Sequence, residues 1–198
     1  MASNPKHSYT PEEYLSLERK ARHKSQYYAG EIFAMSGASR EHNVIVLNIA
    51  TALSTQLEEK DCEIYAVDMR VKTPNGMLYT YPDVVVVCGK PQFEDSSTDT
   101  LLNPSLILEV LSPSTETYDR TKKFEDYRNI ESLKEYVLVA QKERRITQFV
   151  KQVNGGWIFH EFCKANDLVH FDSIDCKLTL ERAYRRVEFS TQNESPGS

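Results

Sequence analysis

A chain of 198 residues is close to the usual size of one domain and long enough to bury a substantial core. Its 40% hydrophobic and 27% charged content is ordinary for a globular protein, and no stretch approaches the ~20 consecutive apolar residues that a membrane-spanning helix needs. Twenty-four basic against 29 acidic residues give a net charge of −5, which argues against gripping nucleic acid mainly by neutralising phosphates, but not against an enzyme whose carboxylates hold a metal.

Taken in chain order, Thr10-Pro11-Glu12-Glu13 reads as a helix start with a capping box and proline at the first helical position, and this helix is expected to run to about residue 22. Two short strands joined at Ala29-Gly30 follow within residues 24–36. The clearest helix spans about residues 39–60, with Val46, Ile49, Ala50, Leu53 and Leu57 along one face. Strands are expected at residues 62–67, 69–72 and 78–88, the last preceded by a Pro74-Asn75-Gly76 turn. Its run Val84-Val85-Val86-Val87 suggests a strand covered on both faces. A polar loop over residues 89–103 leads to a second apolar strand at 105–111, a helix at about 114–129 and a strand at 135–140. Asn154-Gly155-Gly156 between residues 144–150 and 157–163 predicts a hairpin, and short strands near Val169 and Leu178 complete the series. With no internal repeat and no long linker, residues 10–189 are expected to form one domain between an N-terminal tail (1–9) and a loose C-terminal tail (190–198).

Cys62, Cys88, Cys163 and Cys176 are widely spaced and contain no Cys-x-x-Cys pair. Each lies beside strand-like sequence, so packed free thiols are expected rather than a zinc site or disulfide framework, although one pair could meet in space. The polar start has no apolar signal core, so a cytoplasmic protein without membrane attachment is the simplest expectation.

Chemistry concentrates around two acids. Asp83 opens the valine strand, and Glu109 lies inside Leu106-Ile107-Leu108-Glu109-Val110-Leu111. An acid within an apolar strand is costly unless paired, hydrogen-bonded or bound to metal. Two carboxylates on neighbouring strands repel each other, and a divalent cation such as Mg²⁺, with Mn²⁺ able to substitute, relieves that repulsion. Alone, Asp83 reads as a turn residue and Glu109 as half of a buried ion pair; together they favour a metal site. On the following helix Asp119, Lys123 and Tyr127 stand four apart on one face. This is either a solvated face with an Asp119–Lys123 pair, or a lysine brought back by the short Ser112-Pro113-Ser114 link to act on the same centre.

These stretches, with Tyr28-Ala29-Gly30-Glu31-Ile32-Phe33-Ala34-Met35-Ser36-Gly37-Ala38, His42, Tyr81-Pro82-Asp83-Val84, Glu109-Val110-Leu111-Ser112-Pro113-Ser114-Thr115 and Glu135-Tyr136-Val137-Leu138-Val139, give a chain that resembles the Uma-two-type endonuclease family. That family is a domain-of-unknown-function group within the PD-(D/E)XK nuclease superfamily, and the resemblance runs from about residue 10 to residue 187. It implies an α/β fold with a restriction-endonuclease-like core, a mixed β-sheet flanked by α-helices, and here an additional C-terminal β-hairpin region. It further implies Asp83 and Glu109 as metal ligands, joined by the backbone carbonyl of Val110. The superfamily lysine should stand two residues after the glutamate, where this chain has Leu111; the resemblance implies that Lys123 replaces it. Glu31 as a supplementary acid, His42 at the start of the long helix and Tyr127 beside Lys123 are further candidate catalytic residues. Each also has a bland reading: an exposed hairpin acid, a satisfied histidine and a packed tyrosine. The basic runs Lys142-Glu143-Arg144-Arg145 and Arg182, Arg185, Arg186 read by default as solvated surface.

The leading expectation is a Mg²⁺-dependent endonuclease hydrolysing phosphodiester bonds of nucleic acid, DNA in the first instance, with a homodimer as one compatible assembly. The rival is a catalytically inactive nuclease-fold protein acting as a nucleic-acid-binding or assembly module, favoured by the acidic total and by Leu111 at the usual lysine position.

Overall fold

The computed structural model describes residues 7–189. The expected C-terminal tail, residues 190–198, lies outside the described residues, as does most of the N-terminal tail. Helix α1 (Pro11–Glu18) starts at the predicted capping box: the Glu13 amide donates to Thr10 Oγ1 at 3.2 Å and the Thr10 amide to Glu13 Oε2 at 2.8 Å. Strands β1 (Ser25–Tyr28) and β2 (Glu31–Ala34) pair as the expected hairpin, with Ala29 and Gly30 both at positive φ in its turn. Helix α2 (Arg40–Leu57) follows, capped by Ser39.

Strands β3 (Cys62–Ala66), β4 (Arg70–Lys72), β5 (Leu78–Thr80), β6 (Val84–Cys88), β7 (Thr100–Leu101) and β8 (Leu106–Leu111) divide between two sheets. The single strand expected over residues 78–88 is broken in two. Pro82, which has no amide hydrogen to give a ladder, stands between β5 in one sheet and β6 in the other. The smaller sheet has the order β2-β1-β5-β4-β7, and the loop expected at 89–103 contributes β7, parallel to β4. After β8 come a short helix α3 (Glu116–Tyr118), a π-helical turn over Asp119–Lys123 and helix α4 (Phe124–Tyr127). Strands β9 (Glu135–Ala140), β10 (Ile146–Lys151) and β11 (Trp157–Phe162) complete the larger sheet, ordered β11-β10-β9-β8-β6-β3 with only β8 and β9 parallel. The pair β12 (Leu168–Phe171) and β13 (Cys176–Thr179) and helix α5 (Leu180–Ala183) close the fold.

The larger sheet is covered on both faces, as the four-valine run predicts. Val84 and Val86 of β6 and Leu106, Leu108 and Val110 of β8 pack under Ile45, Ile49 and Leu53 of α2. Val85, Val87, Ile107 and Leu111 face the opposite way, onto Tyr127, Ile130 and Leu133. By strand alternation Glu109 belongs to this second face, the one covered by the chain after β8.

One cysteine expectation is corrected. Cys62 and Cys88 are directly opposite in the antiparallel β3–β6 register and form a disulfide, with Cα atoms 4.0 Å apart; Cys163 is free and exposed, and Cys176 is free and buried. The two are 26 residues apart, and only the strand pairing brings them together. No helix among the described residues is long and apolar enough to cross a membrane.

On β4 of the smaller sheet, Arg70 is 2% exposed and its guanidinium reaches Thr100 Oγ1, the Tyr81 hydroxyl and Asp99, while Arg19 also donates to Asp99. The Arg19 hydrogen bond, with the Arg70 charge acting against partial burial, holds the Asp99 carboxyl well below its ordinary value. A carboxyl lowered on folding stabilises the fold above its unfolded value and loses that contribution as pH falls through its folded one. Wild type should therefore melt above Asp99→Asn at neutral pH, and the two curves should converge as pH falls below about 4. A gap in Tm unchanged into acid would show that this ion pairing contributes no stability.

Candidate active site

β6 and β8 bring the two acids together. Their antiparallel register pairs Val84 with Leu108, so Asp83 and Glu109 are the next residues out along each strand. Asp83 is fixed from two sides: its Oδ2 accepts the Val110 amide at 2.7 Å and lies 3.1 Å from His42 Nε2, reached from the first turn of α2. Glu109 receives Lys123 Nζ at 2.8 Å and the Tyr127 hydroxyl at 3.1 Å, both on Oε1. Lys123 also lies 3.3 Å from Asp119 Oδ1. The pair expected on a solvated face thus exists, but buried and joined to Glu109: the Lys123 and Glu109 side chains are each only 6% exposed.

The local backbone explains this burial. Asp119–Lys123 is wound as a π-helical turn, a widened geometry often found at functional sites, between the single turns of α3 and α4. Tyr136 of β9 donates its hydroxyl to the Asp119 carbonyl at 3.0 Å and so anchors the turn to the sheet. Lys122, one residue earlier, points elsewhere: its side chain is 47% exposed, within 3.8 Å of Glu125 and over the Tyr28 ring.

Burial pushes the Glu109 carboxyl above its ordinary value; the Lys123 ammonium opposes this, and the nearby Asp119 and Asp83 add to it. For Lys123, burial works against the charge, but Glu109 and Asp119 outweigh it and hold the ammonium above its ordinary value. Burial, then the Glu109 charge, likewise raises the Tyr127 hydroxyl well above the ordinary tyrosine range.

Asp83, Glu109, Val110, His42 and Lys123 line one cleft of about 390 Å³, walled by residues 34–39 and 112–115. Tyr127 lies beneath, on Glu109. Glu31 is at the start of β2, whose far end, Ala34, reaches the cleft; Glu31 itself is not in the lining. None of the basic candidates Lys142, Arg144, Arg145, Arg182, Arg185 and Arg186 lines it. Residues that the sequence did not single out do: Tyr118, and Gln141, whose Oε1 accepts from Ser39 Oγ at 2.9 Å. For Gln141 the available signal was a polar residue directly after the buried strand 135–140.

An acid at the head of β6, an acid within β8 and a buried lysine on the next helical segment thus meet in one cleft on a mixed sheet. The profile of the family described as "Uma2: Putative restriction endonuclease" matches residues 11–183, and the chain belongs to that family. Two uncharacterised proteins of Synechocystis sp., slr1290 and sll1609, are each 37% identical to it, over 91% and 82% of this chain and 93% and 92% of their own. The crystal structure of a putative nuclease belonging to DUF820 from Anabaena variabilis superposes with a TM-score of 0.74 over 89% of this chain and 97% of that one; at 18% identity the likeness is one of fold.

The Lys123–Glu109 contact has a measurable consequence. Removing one member of a buried ion pair leaves the other uncompensated, so Lys123→Met should destabilise the protein by about 3–5 kcal/mol in urea unfolding. Lys123→Met with Glu109→Gln should recover a good part of that loss. Strictly additive effects would mean the two groups do not interact.

Proposed function

We propose that this protein is a divalent-metal-dependent nuclease, with Mg²⁺ as the physiological ion, Mn²⁺ as a substitute, and nucleic acid, DNA first, as substrate. The observation that carries the reading is the convergence of Asp83 and Glu109 in one cleft with Lys123 held on Glu109. The donors fit a hard cation. Two carboxylates, joined by the Val110 backbone carbonyl that the family resemblance implies, would be an oxygen set, and Mg²⁺ commonly uses only one or two carboxylates and several waters. Among the described residues no three His, Cys, Asp or Glu side chains are grouped so as to hold a metal ion, so waters would have to complete the coordination.

Hydrolysis adds water across a P–O bond: the water oxygen bonds to phosphorus, the bridging P–O bond breaks, and the leaving oxygen takes up a proton. Metal bound at these carboxylates supplies charge neutralisation and a more acidic water. His42 and the Val110 amide hold the Asp83 carboxylate in place. Lys123 presents its ammonium at the cleft floor, where charge building on a phosphoryl oxygen is stabilised. Tyr127 fixes Glu109 from below. Glu31, outside the lining, has no part in this scheme.

A second reading has its own support. Lys123 already compensates Glu109, so the pair serves equally as an internal ion pair in a non-catalytic nucleic-acid-binding module.

Two measurements separate the readings. Mg²⁺ or Mn²⁺ should raise Tm by binding the folded state, and Asp83→Ala should abolish that shift. Metal-dependent cleavage should vanish in Glu109→Gln. Lys123→Ala, assayed where it remains folded, should lose on the order of a hundredfold in turnover. Lys122→Ala should stay near wild type, given its exposed position. A metal shift that survives Asp83→Ala sinks the ligand assignment, and binding without cleavage on any substrate favours the module.

A further inference from the structure

We infer, resting on the nuclease reading above, that the cleft admits one strand of nucleic acid at a time: a single strand, or a nucleotide drawn out of a duplex, rather than the flush side of a double helix. The candidate reacting groups form a floor and are not a surface. The Glu109 and Lys123 side chains are 6% exposed, His42 13% and Asp83 16%. Above them the walls at 34–39 and 112–115 flank a half-open cleft of about 390 Å³, the low end of the range for small-molecule pockets. The Ser39–Gln141 hydrogen bond joins two residues of the lining. A duplex carries its phosphates along a stiff rod, and its backbone has no means of entering a recess of this size unless a nucleotide leaves the stack.

Charge leads to the same substrate. Lys123 is the only lysine or arginine lining the cleft among the described residues, and Glu109 and Asp119 already hold it. One adjoining groove, which shares Ser39, Pro113 and Gln141 with the cleft, sets Glu41, Glu143 and Glu188 against Lys142, and a smaller recess sharing Pro113 and Gln141 sets Glu116 and Glu143 against Lys142 and Arg145. Proteins that track duplex backbones neutralise on the order of 6–10 phosphates with rows of cations. This mouth offers hydroxyls in their place, with Ser112 Oγ within 3.0 Å of Ser114 Oγ and 2.8 Å of Thr115 Oγ1. Hydroxyls contact phosphate but release no counterions. Extruding a base costs a few kcal/mol, least where it is already unpaired, so unpaired nucleotides are the favoured substrate.

The test uses the full-length protein with Mn²⁺, chelator-treated protein as the blank, and DNA and RNA versions of three substrates: a single-stranded oligonucleotide, the same sequence as a blunt duplex, and that duplex with an unpaired internal bubble. The single strand and the bubble should be cut at least about tenfold faster than the duplex interior, in keeping with a few kcal/mol for extrusion. With one or two phosphates engaged, single-strand affinity should fall only about threefold to sevenfold between about 50 and 200 mM salt. Equal cleavage of the duplex interior, or a loss of affinity of about a thousandfold over that salt range, would overturn the single-strand inference while leaving the nuclease reading intact. No metal-dependent cleavage of any substrate would overturn the nuclease reading and this inference with it.

Discussion

A carboxylate in the middle of an apolar strand has to be compensated, and much of this molecule is arranged around that requirement at Glu109. Its neighbours Leu108 and Val110 pack under α2, while Ile107 and Leu111 pack against the segment that follows the strand. Desolvation alone would drive the acid to hold its proton. Lys123 and Tyr127 answer this on a single oxygen, and both come from a stretch that could not reach Glu109 without the short return after β8 and the π-helical turn. The turn is in turn tied down by Tyr136 from the adjacent parallel strand. Strand, turn and neighbouring strand thus support one another through one buried charge pair with Asp119 at its side.

A break in the chain serves the same site. Residues 78–88 have the composition of one long strand, yet Pro82 divides them between two sheets. Tyr81 is held on the smaller sheet's side by Arg70 and Glu18, and Asp83 on the larger sheet's side by His42 and the Val110 amide. The cleft opens at this junction, with Gln26 and Ala34 of the smaller sheet facing Glu109 and Val110 of the larger one. The buried Arg70 network therefore does more than stabilise the smaller sheet: it fixes one wall of the site.

The acidic character of the chain acquires a location as well as a total. Asp83 and Glu109 lie on the cleft floor, whereas Glu41, Glu143 and Glu188 lie beyond it in the adjoining groove. Placed there, they disfavour a long phosphate backbone lying across the mouth. A net charge of −5 is thus compatible with a nucleic-acid substrate if recognition is local and involves few phosphates.

Local order was largely written in the sequence. The capping box at Thr10 and Glu13, the apolar stripe of α2, the valine run of β6, the Ala29-Gly30 turn and the hairpin at Asn154-Gly155-Gly156 all depend on neighbours a few residues apart, where periodicity and backbone preference act directly. The candidate acids were legible too, because a charge inside an apolar strand is conspicuous in one dimension. Long-range pairing was not. The Cys62–Cys88 disulfide follows from the β3–β6 register, the split of residues 78–88 from a choice between two sheets, and the Ser39–Gln141 bridge joins residues 102 apart. Whether Lys123 sat in solvent or beneath the site could not be read from its four-residue spacing, since a helix face has no identity until something packs on it. Tertiary structure decided it, because burying that ammonium is favourable only where the strand before it has already brought Glu109 within reach.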